Sequence, residues 1–143
     1  MNKFCIVGLG EHSKNKLIPA IYESRNILRA IVSRKLGLES RYRGIPIFSD
    51  LSMAVQSLEK DVIFIISTPP DTHFEILKVV LQNKFNAMVE KPILLSLQHF
   101  KIINDLSKIN RVIFYECFMH RYGKIYKLLL LILLPTLLAK GKI

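Results

Sequence analysis

Acidic residues are scarce: 11 Asp and Glu stand against 21 Lys and Arg, for a formal net charge of +10. Cysteine is scarcer still. Only Cys5 and Cys117 occur; each falls in or at the end of a predicted strand, so a disulfide framework is excluded and reduced, packed thiols are expected. No group of His, Cys, Asp and Glu has metal-ligand spacing, and no metal is expected. The N-terminus lacks a basic and apolar segment ending in small residues, which points to a cytoplasmic address. A long apolar run is also missing. The longest, Leu128–Ala139, is interrupted by Pro135 and falls short of the roughly 20 residues a membrane span needs, so no membrane partner is expected. At 143 residues with 50% hydrophobic content, disorder is excluded and one sizeable core is expected.

The excess of positive charge raises nucleic acid as a partner. The lysines and arginines, however, are scattered through loops and helix faces, and no helix-turn-helix, RNA-recognition or zinc-finger signature accompanies them. A solvated basic surface suited to an anionic cofactor accounts for them better, and no nucleic-acid partner is expected.

What the chain does have begins at its first ten residues. A short apolar strand runs into Gly8-Leu9-Gly10, and a helical pattern follows to Glu23. Gly8 lets the chain turn off the strand, and Gly10 has no Cβ to hold the backbone away from a pyrophosphate. The helix N-terminus then offers unpaired N–H groups to that anion. Ser13 occupies the third glycine-fingerprint position. Strands are expected at Lys3–Val7, Leu28–Val32, Ile45–Phe48, Asp61–Ser67, Asn86–Glu90 and Arg111–Glu116. Helices are expected at Ser13–Glu23, Leu51–Leu58, Thr72–Gln82, Ser96–Ile109 and from Gly123 onward. Val62-Ile63-Phe64-Ile65-Ile66 is continuously apolar, as in a strand covered on both faces. Thr72-His73-Phe74-Glu75 reads as a capping box, and Ser96 as the cap of the next helix. Strands alternating with crossover helices give an α/β class, a doubly wound parallel sheet.

Three strand ends carry candidate chemistry. The second runs into Ser33-Arg34-Lys35, where an acidic residue would accept hydrogen bonds from the adenosine ribose. A hydroxyl followed by a guanidinium suits a 2′-phosphate instead, which favours NADP(H) over NAD(H). The fourth runs into Thr68-Pro69-Pro70-Asp71-Thr72-His73, and the fifth into Glu90-Lys91-Pro92, where Pro92 fixes the backbone beyond Lys91.

The succession Gly8-x-Gly10, Ile18-Pro19-Ala20, Ser33-Arg34, Thr68-Pro69-Pro70-Asp71-Thr72-His73, Glu90-Lys91-Pro92 and Phe118-Met119-x-Arg121-Tyr122 resembles the Gfo/Idh/MocA family over about residues 3–127. These are the relatives of glucose–fructose oxidoreductase and inositol dehydrogenase. The resemblance implies a Rossmann domain over residues 1–122. It also implies hydride transfer between a nicotinamide dinucleotide and a sugar, cyclitol or related carbonyl or alcohol. It makes Lys91 the catalytic lysine, placed to hydrogen-bond substrate and nicotinamide ribose. Gly8, Gly10 and Ser13 are then the glycine-turn positions at the pyrophosphate. Ser33 and Arg34 lie at the adenosine ribose, Thr68, Pro69 and His73 line the nucleotide cleft, and Glu90 and Pro92 shape the lysine's loop.

The chain departs from the family pattern in two places. The segment between Arg34 and Gly44 is short, so the second crossover helix is expected to shrink to a turn. The chain also ends at Ile143, before the Asp and His that the family's C-terminal domain supplies, so residues 123–143 read as the start of that domain in a truncated protein. A non-catalytic nucleotide-binding module or an inactive remnant is the alternative. His12, His73 and His99 read as surface or capping histidines without a carboxylate partner, and His120 alone as a substitute acid or base. Leu128–Ala139 reads as an interface helix that promotes homo-oligomerisation.

Overall fold

The computed structural model describes residues 1–34, 42 and 44–118. The described residues form one six-stranded, wholly parallel sheet: β1 (Lys3–Val7), β2 (Ile27–Val32), β3 (Ile47–Phe48), β4 (Val62–Ile66), β5 (Asn86–Val89) and β6 (Phe114–Glu116). Across the sheet the strands run β3-β2-β1-β4-β5-β6. The order reverses between β1 and β4, where consecutive crossovers go to opposite sides, and a crevice opens there at the carboxyl ends of the strands.

The apolar patterns explain the two faces. On β1, Cys5 and Val7 point to one side and Phe4 and Ile6 to the other; on β4, Phe64 and Ile66 oppose Ile65. The Cys5 side is covered by α2 (Leu51–Ser57), α3 (His73–Gln82) and α4 (Leu97–Asn110), through residues such as Val55, Leu77, Leu81 and Ile103. Its centre is the edge-to-face pair Phe64–Phe85, with ring centroids 4.9 Å apart and both side chains fully buried. The Phe4 side packs against α1 (Ile18–Glu23), through Ile18 and Ile21. A π-helical stretch, Ser13–Leu17, leads into α1, and Glu11 and His12 before it are already helical.

The elements expected within the described residues are all present, with their ends shifted for local reasons, and the helix expected from Gly123 onward lies outside those residues. Ile45 leaves β3 because its N–H bonds Tyr42 O in a turn. Arg111 to Ile113 leave β6: Arg111 ends α4 at φ 55°, Val112 N–H bonds Ser107 O, and Ile113 N–H bonds Asn86 Oδ1. Thr72 does not form the expected capping box. It lies in a 3-10 turn, Pro70–Thr72, with helical φ and ψ, and its hydroxyl bonds Pro69 O and Thr68 Oγ1 at 2.7 Å. Ser96 does cap α4, accepting from Gln98 N–H at 3.2 Å, and Asp50 caps α2, accepting from Ser52 N–H at 2.7 Å. Residues 35–41 and 43, on which the expected reduction of the second crossover helix falls, and the Leu128–Ala139 run lie outside the described residues. Among the described residues no helix is long and apolar enough to cross a membrane.

Truncating Phe64 to Ala should cost about 3–5 kcal/mol, because a fully buried ring leaves a cavity and Phe85 loses its edge contact. Ser96→Ala should cost only about 1 kcal/mol. Urea unfolding followed by circular dichroism, with an unchanged m-value, measures both.

Candidate active site

The crevice between β1 and β4 holds a cleft of about 830 Å3, within the ordinary size of a small-molecule site. Gly8, Leu9 and Gly10 form its floor, Ser33, Arg34, Ser49 and Asp50 one wall, and Thr68, Pro69, Asp71 and Thr72 the other.

The two glycines serve different ends. Gly8 has φ +94°, and a Cβ there would stand 2.7 Å from Ser67 O and from Thr68 Cγ2. Only glycine fits both the backbone angle and the gap to the end of β4. A Cβ on Gly10 would meet nothing within 4 Å, so that face of the turn is open for a ligand. Ser13 is fully buried, and its hydroxyl donates to Gly8 O at 2.7 Å. It fastens the helix to the glycine turn from behind and does not line the cleft.

His73 differs from the expected surface or capping histidine. It is fully buried, with Nδ1 3.0 Å from Pro92 O and Nε2 2.9 Å from Thr68 O. Both neighbours are acceptors, and in a neutral ring the tautomer decides which carbonyl receives the N–H. The ring therefore joins the loops after β4 and β5 from behind the cleft wall and does not line the cleft itself.

The turn after β5 lies outside the cleft walls, at the neighbouring edge of the crevice. Glu90 is 15% exposed and its carboxylate Oε1 is 3.1 Å from His12 Nε2. Pro92 O faces His73 Nδ1, and Ile93 N–H donates to Glu116 Oε1 at 2.8 Å. The Lys91–Pro92 peptide is cis. Residues on both sides of Lys91 are thus held by three different elements, while Lys91 is exposed and its ammonium has no ion-pair partner among the described residues.

The structure brings together Gly8, Gly10, Ser33, Arg34, Thr68 and Pro69 in the cleft and sets Glu90, Lys91 and Pro92 beside it. Sequence reasoning missed Asp50, although Ser49-Asp50 before an apolar run is an N-cap signal. It also missed the His12–Glu90 pair, whose partners lie 78 residues apart with no local signal, and the clamp from Glu116. His120 lies outside the described residues. Among the described residues no group of His, Cys, Asp and Glu could hold a metal ion.

A glycine turn at the switch point of a parallel sheet ordered 3-2-1-4-5-6 defines a dinucleotide-binding Rossmann domain. The chain belongs to the Gfo/Idh/MocA oxidoreductase family, whose NAD-binding Rossmann fold matches residues 2–118. Among solved structures it is similar to the WlbA (WbpB) dehydrogenase of Thermus thermophilus, solved with NAD and α-ketoglutarate, at 19% identity and TM-score 0.78 over 90% of this chain and 45% of that one. A putative oxidoreductase of Klebsiella pneumoniae is similar at 20% identity and TM-score 0.76, over 87% and 37% of the two chains. D-galactose-1-dehydrogenase of Rhizobium etli is similar at 19% identity and TM-score 0.75, over 85% and 38%. The chain thus spans less than half the length of each of these relatives. No curated protein matches it.

Two outcomes test this geometry. Gly8→Ala should destabilise the domain by about 1–3 kcal/mol through its backbone angle alone, and by more from the clash with Ser67 O, whereas Gly10→Ala should leave the denaturation midpoint nearly unchanged. Cys117 supplies a pH test. Burial, and then the carboxylates of Glu90 and Glu116, push its thiol up to about 11. The thiolate is disfavoured, so at pH 8 only about one part in a thousand is reactive. Iodoacetamide labelling of Cys117 should be slow at pH 8 and rise about tenfold per pH unit toward pH 11, as peptide mass spectrometry would record.

Proposed function

We propose that the chain is the cofactor-binding portion of an oxidoreductase that moves hydride between NADP(H) and a sugar, cyclitol or related carbonyl or alcohol. The observation that carries the cofactor reading is the open face of Gly10 at the floor of the switch-point cleft, beside the start of a helix. The backbone N–H groups at that helix start would receive the pyrophosphate, and Gly8 and Ser13 hold the turn in shape to present them. Arg34, on the opposite side from Thr68 and Pro69, would pair with a 2′-phosphate next to the Ser33 hydroxyl. When bound, the nicotinamide ring supplies or accepts hydride at C4. Lys91 would donate a hydrogen bond to the substrate oxygen and to the nicotinamide ribose, from a turn that Glu90 and Pro92 fix in place. The resemblance assigns proton transfer to a carboxylate and imidazole beyond the family's Rossmann domain.

Asp50 favours a second reading, NAD(H). Its carboxylate stands on the same wall as Arg34 and is held below the usual carboxylate range by the side-chain and backbone hydrogen bonds from Ser52. A fixed negative charge there opposes a 2′-phosphate. Calorimetric titration separates the readings. Under the first, NADPH binds more tightly than NADH, and Arg34→Ala removes most of the difference, about 10- to 100-fold for a charged hydrogen-bonding partner. Equal affinities transfer the assignment to NAD(H), and absence of binding by either returns the chain to a non-nucleotide role.

A further inference from the structure

We propose that His12 is a positioning residue that couples the dinucleotide cradle to Lys91. His12 occupies the first helical turn after Gly10, where the proposed pyrophosphate would sit. Its Nε2–H donates to Glu90 Oε1 at 3.1 Å, and Glu90 immediately precedes Lys91. The contact crosses from the helix after β1 to the end of β5, over β4, and joins the glycine-turn helix directly to the lysine's turn. The other two ties on that turn, from His73 to Pro92 O and from Glu116 to Ile93 N–H, reach it from the start of α3 and from β6. The His73 tie meets the glycine turn only by way of Thr68, which packs against Gly8. A ligand that orders the helix start therefore has a direct mechanical connection to Lys91 through His12 and Glu90. The connection needs a donor at position 12 and an acceptor at position 90. It rests on the cofactor reading for its purpose but not for its existence.

The experiment uses the full chain with His12→Ala, Glu90→Ala, the double variant and His12→Gln. Hydrogen exchange at the amides of Lys91 and of residues 93–95, measured by mass spectrometry without nucleotide, reports the tie itself. Each single Ala variant should raise exchange there about 3- to 10-fold, the double variant no further, and His12→Gln, which keeps a donor, should restore most of the protection. Calorimetry with NADPH reports the coupling: affinity should fall about 3- to 10-fold in the Ala variants and recover in His12→Gln, with the thermal midpoint unmoved. Unchanged exchange in His12→Ala, or effects that multiply in the double variant, would overturn the tie. Raised exchange with NADPH affinity unaltered would overturn the coupling. A native chain that binds no dinucleotide marks failure of the cofactor reading instead, and the exchange rates then decide the tie alone.

Discussion

Between the ends of β1 and β4 there is no room for a side chain. Gly8 sits against Ser67 O and Thr68 Cγ2 at a distance that a Cβ could not share, in a backbone conformation that only glycine takes freely. That contact exists because β1 and β4 pair along their whole length, from Lys3 opposite Val62 to Val7 opposite Ile66, and because Ser67 N–H continues the ladder to Val7 O. With the two strand ends locked together, the chain at Gly8 must turn away from the sheet and the chain at Thr68 must turn the other way. The cleft is the space left between them. The helix that closes it, the floor it offers to an anion and the wall made by Thr68 and Pro69 all follow from this one close approach.

Behind the cleft, polar groups are few and each has an assigned partner. No buried side-chain nitrogen or oxygen among the described residues lacks a hydrogen bond. Of the fully buried polar side chains, Ser13 donates to Gly8 O, and the His73 ring stands between the carbonyls of Thr68 and Pro92 and donates to the one its tautomer selects. A buried polar group left unpaired costs more than the bond it forms returns, so these side chains specify where the loops must lie rather than merely adding stability. Cys5, by contrast, is surrounded by apolar neighbours, and burial alone raises its thiol far above the normal range.

The sheet was legible because its signals are local. β4 reads as a doubly covered strand from five apolar residues in a row, and the Gly8–Gly10 turn announces itself between a strand and a helix. Ser96 was visible as a cap because an extended Ser before an apolar pattern has little else to do. Thr72 was misleading for the same kind of reason. Its hydroxyl had nearer acceptors in Pro69 O and Thr68 Oγ1, and two prolines forced a 3-10 turn where a cap was expected. The cleft walls at Ser33, Arg34, Thr68 and Pro69 followed from the strand ends. What sequence could not disclose were pairings across the sheet. His12 with Glu90, His73 with Pro92 and Glu116 with Ile93 depend on strand order, and nothing along the chain reveals that β5 lies between β4 and β6.

The turn carrying Lys91 hangs from three supports, and they differ in how early they open on warming: His12 stands in the first turn of an exposed helix start, His73 is a fully buried ring at the start of α3, and Glu116 lies on β6. The ring at the start of α3 is pinned to Thr68 O as well as to Pro92 O, and β6 is itself paired to β5. Fraying at the helix start that carries His12 therefore removes one support and leaves the other two. As temperature rises, the turn slackens first on its Glu90 side, while the Pro92 side keeps its place until the sheet gives way.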